Sequence, residues 1–513
     1  MTGQHLQIGD LISRAARTYG DAPALVEGSR TLSFVEFDDL TDRLGTALLR
    51  RGLQPGDHVA VLVPNGIDGV VIYYALAKAG LVRVSLNARE TDVELAYKIT
   101  DSHARALITA DRIPHTTEIV ITTDDVDAMI ATAAPEPCRV VRDQHALFRL
   151  AYTGGTTGRP KAVMLTTRSE LAEIDNFLVD LLPDLGPSSV MLHAAPITHG
   201  SGAFFLPHLI KGGCNVILQK FTPQGFIDAA CTHRATATFM VPTMISMILE
   251  DAVIDRESLA LNRLCYGGAP IAPALLARGL DVLGPVFAQL YGQAEAPLAI
   301  TCLQPGEHTP ERLASAGKAY TFVEVDIRDA QGNSLPAGTA GEVCTRGPHI
   351  MSGYWQRPDA TAETLSADGW LRTGDIGQLD ESGFLYLLDR RHDVIISGGF
   401  NVYPREVEDV LVSHPAVREA VVVGIDDERW GQKVAAAIVV RDSAVRDSAV
   451  RESVAAQEIA DYCGGRLAGF KRPRHIEFWD ELPKSSVGKS LRRSVRDTMT
   501  RQNTHRTPEV ENA

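Results

Sequence analysis

The chain has no C-x-x-C pair, no long basic block and no unbroken apolar run of membrane-spanning length. Each absence excludes something. Seven cysteines, at 138, 214, 231, 265, 302, 344 and 463, are scattered through 513 residues without metal-ligand spacing. That pattern argues against a disulfide framework or a zinc site and is expected of reduced thiols in the cytoplasm. Fifty Lys and Arg against 64 Asp and Glu leave a net charge of −14. Neither nucleic acid nor an anionic membrane is therefore expected as the main partner. An acidic protein that binds a polyphosphate must concentrate its positive charge locally. The most apolar stretch, 69–86, is broken by Lys78 and Arg83 and reads as a buried helix followed by a strand, with no membrane span. The first five residues lack the basic and apolar parts of a secretory signal, which again leads us to expect a cytoplasmic protein.

The composition present, 45% hydrophobic and 22% charged, is that of an ordinary globular protein. Its length exceeds one core, so two or three domains are expected. Apolar residues at helical spacing over 34–51 and 69–80 alternate with short buried strands at 59–63, 81–86 and 106–110. The pattern resumes with strands at 216–218 and 237–241. Such alternation predicts an α/β fold of layered subdomains around largely parallel sheet. From about 322, strands shorten and turns multiply, as in Asp329-Ala-Gln-Gly and Asp380-Glu-Ser-Gly, which predicts a small antiparallel barrel-like subdomain or sheet. Beyond 390, strand signals at 394–396, 420–424 and 434–440 and a helix at 404–412 predict a compact, mobile α+β domain. The expected division is 1–391, 392–502 and a disordered polar tail at 503–513. The repeat Arg441-Asp-Ser-Ala-Val, Arg446-Asp-Ser-Ala-Val, Arg451-Glu-Ser-Val is too short for a solenoid and reads as a surface insertion or helix extension.

The densest chemical signal lies at 150–161. Thr153, Gly154, Gly155, Thr156, Thr157 and Gly158 are followed by Arg159, Pro160 and Lys161. Glycines let backbone N–H groups turn toward an anion, hydroxyls add donors, and lysine adds charge. That combination suits a polyphosphate. The order is not G-x-x-x-x-G-K-[ST], and no G-x-G-x-x-G follows a strand, so the two commonest nucleotide loops are excluded. Further islands follow in order: Gly267-Gly-Ala-Pro270, Gln289-Leu-Tyr-Gly-Gln-Ala-Glu295, Thr373-Gly-Asp375, Arg390, and Pro483-Lys-Ser-Ser-Val-Gly-Lys489.

Together these islands resemble the adenylate-forming superfamily of acyl- and aryl-CoA synthetases, luciferases and peptide-synthetase adenylation domains. The resemblance implies that 153–161 holds the β- and γ-phosphates of ATP, with Thr156 and Glu295 on Mg²⁺. It places Gly268, Ala269 and Pro270 against adenine, and Tyr291, Gly292, Gln293 and Ala294 around adenine and the α-phosphate. It gives the ribose hydroxyls of ATP, and later AMP, to Asp375 and Arg390. It implies that Lys489, on a mobile loop, reaches the reacting carboxylate. Gly398 and Gly399 resemble the glycines beside the pantetheine tunnel, and Trp430, Phe470, Lys471 and Arg472 resemble positions near the coenzyme A nucleotide. His199 resembles a pocket histidine of acyl- and aryl-CoA ligases. No carboxylate in 196–202 awaits an α-amine, which favours a plain carboxylic acid. Small residues there and at Gly267, Gly268 and Ala296 leave room for a bulky one. The physical demand is clear: a carboxylate attacking a phosphate joins two anions, and lysine and Mg²⁺ offset the charge that builds.

Three positions depart from the pattern. Ala294 stands where a threonine is usual, Ala162 where a glycine is usual, and His392 at the expected hinge. Loss of one transition-state donor costs about 3 kcal/mol. The expected activity is an AMP-forming acyl-CoA ligase using ATP, Mg²⁺ and coenzyme A. Two alternatives remain open at this point: a ligase that forms only the thioester, from an acyl-adenylate made by a separate enzyme, and one that loads a carrier-protein thiol.

Overall fold

Local sequence signals set many helix starts. Ser33 Oγ accepts the Glu36 N–H, and the Glu36 carboxylate accepts the Ser33 N–H at 2.8 Å, which caps the helix Phe34–Arg50. Thr91 and Glu94 repeat the device before the helix Asp92–Asp101. Each such cap contributes about 1 kcal/mol. The first helix turns Phe34, Phe37, Leu44 and Leu48 into the core. The helix Ile67–Lys78 is buried on almost every side. Its last residue, Lys78, which interrupted the apolar run, lies with Nζ 2.5 Å from Asp38 and 2.7 Å from Asp42, so the buried cation is paired.

The computed structural model describes residues 6–111, 113, 117–153, 159–427, 429–441, 449–484 and 491–505. Two large sheets form the N-terminal part, one of nine strands and one of seven. In the nine-stranded sheet, Cys214–Ile217, Val190–His193, Ala237–Met240, Arg263–Gly267 and Phe287–Gln293 run parallel, and Ala296–Leu303 turns back antiparallel. In the seven-stranded sheet, His58–Leu62 lies between Val82–Ser85 and Ala106–Thr109, all parallel. One continuous core joins Leu25 and Ile217 of the first sheet, Val59, Val61 and Ile108 of the second, and the helices Ile8–Tyr19, Phe34–Arg50 and Ile67–Lys78. Those helices form a shared middle layer. The outer faces carry separate cores, so both sheets are covered on two sides, as parallel sheet requires.

The turn-rich region forms a four-stranded antiparallel sheet of Glu324–Arg328, Gly341–Arg346, Leu371–Leu379 and Leu385–Arg390. The C-terminal domain has a five-stranded sheet. Its long ladder pairs Val417–Asp427 with Gly431–Val440, and the helices Pro404–Val412, Ala449–Gly464 and Arg492–His505 complete it. The helix Ala449–Gly464 contains the third copy of the short repeat; 442–448 lie outside the described residues. The last helix continues to His505, past the expected domain end at 502 and into the segment expected to be disordered. No helix among the described residues is long and apolar enough to cross a membrane. All seven cysteines are free.

Candidate active site

Residues from four distant segments meet beyond the carboxyl ends of parallel strands, where α/β sheets place their ligand sites. The strands Arg263–Gly267 and Phe287–Gln293 are adjacent, with Gly267 opposite Leu290. They deliver Gly268, Ala269 and Pro270 beside Tyr291 and Gly292. A Cβ on Gly267 would stand 2.4 Å from the Leu290 carbonyl oxygen, so this close approach admits only glycine. Ala294 and Glu295 form the tight turn between Gln293 and Ala296. A Cβ on Gly292 would meet the Leu298 nitrogen at 2.4 Å. The turn is therefore packed tightly against the returning strand, whose Leu298 adopts the left-handed φ of 48°.

Glu295 is buried, and its Oε1 accepts a 2.6 Å hydrogen bond from Tyr354. Burial first, and the Glu295 charge second, push the Tyr354 phenol well above its ordinary value, so it stays a donor. The Lys161 ammonium lies 4.6 Å from the centre of the same ring. Tyr354 thus touches both the last residue of the glycine-rich loop and the acid expected to hold a cation. Sequence reasoning missed it. Its strand, Gly353–Tyr354, is two residues long and offers no periodicity. Only pairing shows its place: Tyr354 lies opposite Val163, just past the loop.

A second group lies beside the first. Tyr291 donates to Asp375 Oδ2 at 2.6 Å, and Arg390 Nε lies 2.7 Å from Oδ1. Asp375 and Arg390 are cross-strand partners in one antiparallel pair. Burial and the neighbouring Asp375 carboxylate raise the Tyr291 phenol well above its usual range. Asp375 is thus held between a phenol and a guanidinium, and a carboxylate offers about four lone-pair sites in all.

Of the glycine-rich loop, Thr153 and Lys161 are described and close it: the Thr153 N–H donates to the Lys161 carbonyl at 3.0 Å. Gly154, Gly155, Thr156, Thr157 and Gly158 lie outside the described residues, as does Lys489. Among the described residues no cluster of three or more potential metal ligands occurs. One carboxylate is nonetheless what Mg²⁺ requires when phosphates supply the other oxygens, so Glu295 fits that ion.

His199 is exposed, with its ring Nε2 2.9 Å from Asn87 Nδ2. Asn87 was not legible as its partner. Some of the small residues that suggest a roomy acid pocket have other causes. A Cβ on Gly202 would lie 2.1 Å from the Ile197 carbonyl oxygen, and one on Gly200 would lie 2.8 Å from the Phe239 ring. Ser201 is buried and bonded to His193 Nδ1 at 2.9 Å. The expected space is thus partly filled by Phe239 and by the backbone itself.

In the C-terminal domain Gly398 and Gly399 turn the hairpin between Ser397 and Phe400, with φ of 59° and 84°. Such a two-residue turn favours glycine at both positions. A Cβ on Gly398 would also stand 2.8 Å from the Trp430 ring, which gives that pairing a packing reason. Phe470 stacks on Phe400 with ring centres 4.7 Å apart. Lys471 is held by both oxygens of Glu406, at 2.6 and 2.7 Å, and Arg472 Nε donates to the Leu467 carbonyl. His392 is exposed, directly before Asp393, which pairs with Arg492 and Arg496.

Residues 12–355 match the family described as AMP-binding enzyme, and 406–489 match its C-terminal domain. A medium/long-chain fatty acid–CoA ligase of Mycobacterium tuberculosis is 34% identical, over 95% of this chain and 89% of that protein. A feruloyl-CoA synthase from an Amycolatopsis species is 36% identical, over 95% and 98%. The o-succinylbenzoate CoA synthetase of Bacillus subtilis, solved with its acyl-adenylate intermediate, superimposes with a TM-score of 0.85 at 31% identity, over 95% of this chain and 98% of that one. The same protein has also been solved with AMP and with ATP and magnesium ion.

Proposed function

We propose that this chain, which belongs to the AMP-binding enzyme family, is an acid–thiol ligase that makes acyl-CoA through an acyl-adenylate. The carboxylate oxygen attacks the α-phosphorus of ATP and pyrophosphate leaves. The coenzyme A thiol then attacks the acyl carbon, and AMP leaves. The observation that carries this reading is the meeting of Lys161, Tyr354 and Glu295 with Tyr291, Asp375 and Arg390 at the strand ends. One trio suits a metal-bound triphosphate and the other a ribose.

Lys161 and the loop donors offset phosphate charge. Bound Mg²⁺ would supply further charge neutralisation at Glu295. Asp375 accepts from vicinal hydroxyls, with Arg390 fixing its orientation. Lys489 brings a cation to the reacting carboxylate. Gly398, Gly399, Trp430, Phe470, Lys471 and Arg472 form the coenzyme A side, where Lys471 exchanges Glu406 for phosphate. The acid is a plain carboxylic acid, since His199 and Asn87 rather than an aspartate occupy 196–202 and its surroundings. We assign 1–391 to acid and nucleotide binding and 392–502 to the moving domain. Free thiols and the need for ATP and coenzyme A support a cytoplasmic setting.

Ala294 favours a second reading, in which adenylation is slow and the adenylate comes from another enzyme. Pyrophosphate–ATP exchange with a panel of free acids, beside CoA-ester formation followed by mass spectrometry, separates the two. Exchange and ester formation from the same free acid are expected. Ester formed only from supplied acyl-adenylate would establish the second reading. Absence of ester from either substrate, with loading of a carrier-protein thiol instead, would overturn both.

A further inference from the structure

We propose that Tyr354 is the positioning residue that couples the metal-binding carboxylate Glu295 to the phosphate-loop lysine Lys161, so that the triphosphate half of the site is assembled as one unit. This rests on the ligase reading above and deepens it by assigning Tyr354 a defined part within the triphosphate trio.

Three observations carry it. First, the Tyr354 hydroxyl holds Glu295 Oε1 at 2.6 Å in a buried setting, and among the described residues no other side chain hydrogen-bonds that carboxylate. A carboxylate fixed through one oxygen presents the other in a defined direction. Partners that orient a ligand in this way typically contribute about 10–100-fold to metal affinity or activity. Second, the Lys161 ammonium faces the Tyr354 ring at 4.6 Å. A cation against the ring face draws electron density from the phenol, and linked hydrogen-bond groups polarise one another. The hydroxyl is thereby a stronger donor to Glu295 while Lys161 stays near.

Third, the backbone clamps the three elements together. The Met351 N–H donates to the Glu295 carbonyl at 2.8 Å, the Ser352 N–H to Met164 at 3.0 Å, and the Trp355 N–H to Ala162 at 2.8 Å. The segment 351–355 therefore ties the turn bearing Glu295 to the strand Ala162–Thr166, which leaves the glycine-rich loop. A ring placed there only to fill the core would need no hydroxyl aimed at a carboxylate. It would also not need a cation on its face.

The role belongs to the adenylating step alone. Attack of a thiol on a finished acyl-adenylate involves no triphosphate, so Tyr354 should be dispensable there. The substitution that isolates the hydroxyl is Tyr354→Phe, which keeps the ring, its packing and the Lys161 contact.

The test measures Mn²⁺ binding to the enzyme with a non-hydrolysable ATP analogue, by electron paramagnetic resonance. It is paired with rates of the two half-reactions. For Tyr354→Phe, Mn²⁺ affinity should fall about 10-fold or more. The Mg²⁺ concentration for half-maximal pyrophosphate exchange should rise in parallel. CoA-ester formation from supplied acyl-adenylate should stay within about twofold, as expected for a step without triphosphate. In a Glu295→Gln background the same substitution should add no further loss, since the two act as one unit. Unchanged Mn²⁺ affinity would overturn the proposal. Equal loss in both half-reactions, or full additivity with Glu295→Gln, would overturn it too by showing a role confined to the fold. If the unsubstituted enzyme bound neither analogue nor Mn²⁺, the ligase reading itself would fail, a result distinct from failure of the Tyr354 role. Should Tyr354→Phe unfold early, as judged by circular dichroism, Tyr354→His retains a ring and a donor and should recover part of the Mn²⁺ affinity.

Discussion

At the scale of single residues, Ala294 is the most informative departure. It sits in the turn beside Glu295, partly exposed, at the position where the family resemblance expects a threonine. One hydrogen-bond donor to developing charge contributes about 3 kcal/mol, or roughly a hundredfold in rate. Ala294→Thr should therefore raise pyrophosphate exchange by about 10- to 100-fold while leaving ester formation from supplied adenylate unchanged. Stopped-flow or isotope-exchange rates on both half-reactions check this. An unaltered exchange rate would mean that another group already supplies the donor. Lys489→Ala tests the opposite change. Under the proposed role, in which Lys489 brings a cation to the reacting carboxylate, its removal should slow adenylation by about a hundredfold or more, with thioester formation from adenylate largely retained. Loss of both steps to the same degree would deny Lys489 its step-specific role.

At the scale of elements, the turn 293–296 depends on Gly292. An added Cβ would lie 2.4 Å from the Leu298 nitrogen, 2.6 Å from its Cα and 2.7 Å from the Ala296 carbonyl oxygen. All three are backbone atoms and cannot rotate away. Gly292→Ala should lower stability by about 1–3 kcal/mol, the usual effect of overpacking. It should also weaken Mn²⁺–nucleotide binding, because Glu295 lies in the displaced turn. Urea unfolding with the binding measurement above checks both; a loss of stability with binding intact would show that the turn relaxes elsewhere. The same elements show what the chain disclosed beforehand. The helix at 404–412 is found with those bounds as Pro404–Val412, because its periodicity and proline start are local signals. The meeting of Asp375 with Arg390 was expected only through the resemblance, since cross-strand register depends on partners that spacing alone does not reveal. Tyr354 and Asn87 gave no signal at all: each acts through a contact between segments far apart in sequence. The glycines at 200, 202 and 267 suggest pocket space in the sequence, whereas neighbouring backbone and Phe239 dictate them. A glycine shows that something is close, and only the fold shows what.

At the scale of the whole molecule, buried ionisable groups set how stability follows pH. Burial lowers His193 to about 3, and His208 and His349 to about 4, against an ordinary value near 6.5. Between those limits the unfolded chain binds a proton that the folded chain refuses. The imidazoles' contribution is therefore complete above about pH 6.5 and is lost as pH falls toward 4, by about 1.4 kcal/mol per pH unit for each ring. Burial raises Glu173 and Asp389, so in their case the folded chain takes up the extra proton and stability is lost as pH rises. The full profile is the difference between these opposed sets, and one substitution can isolate one side of it. His349 is fully buried, and neither ring nitrogen has a hydrogen-bond partner among the described residues. His193, in contrast, is bonded to both Ser201 and Asn215. His349→Leu should thus leave no orphaned partner, and its stability relative to the unsubstituted protein should be flat above pH 7. It should then rise by about 1.4 kcal/mol per unit as pH falls from 6.5 toward 4. His193→Leu should show the same slope from a lower starting level, because Ser201 and Asn215 lose a partner, at about 1–3 kcal/mol for a buried polar group left unsatisfied. Urea unfolding midpoints at pH 7.5, 6 and 5 measure both. Parallel profiles for His349→Leu and the unsubstituted protein would mean that this imidazole accepts its proton in the folded state as readily as in the unfolded chain.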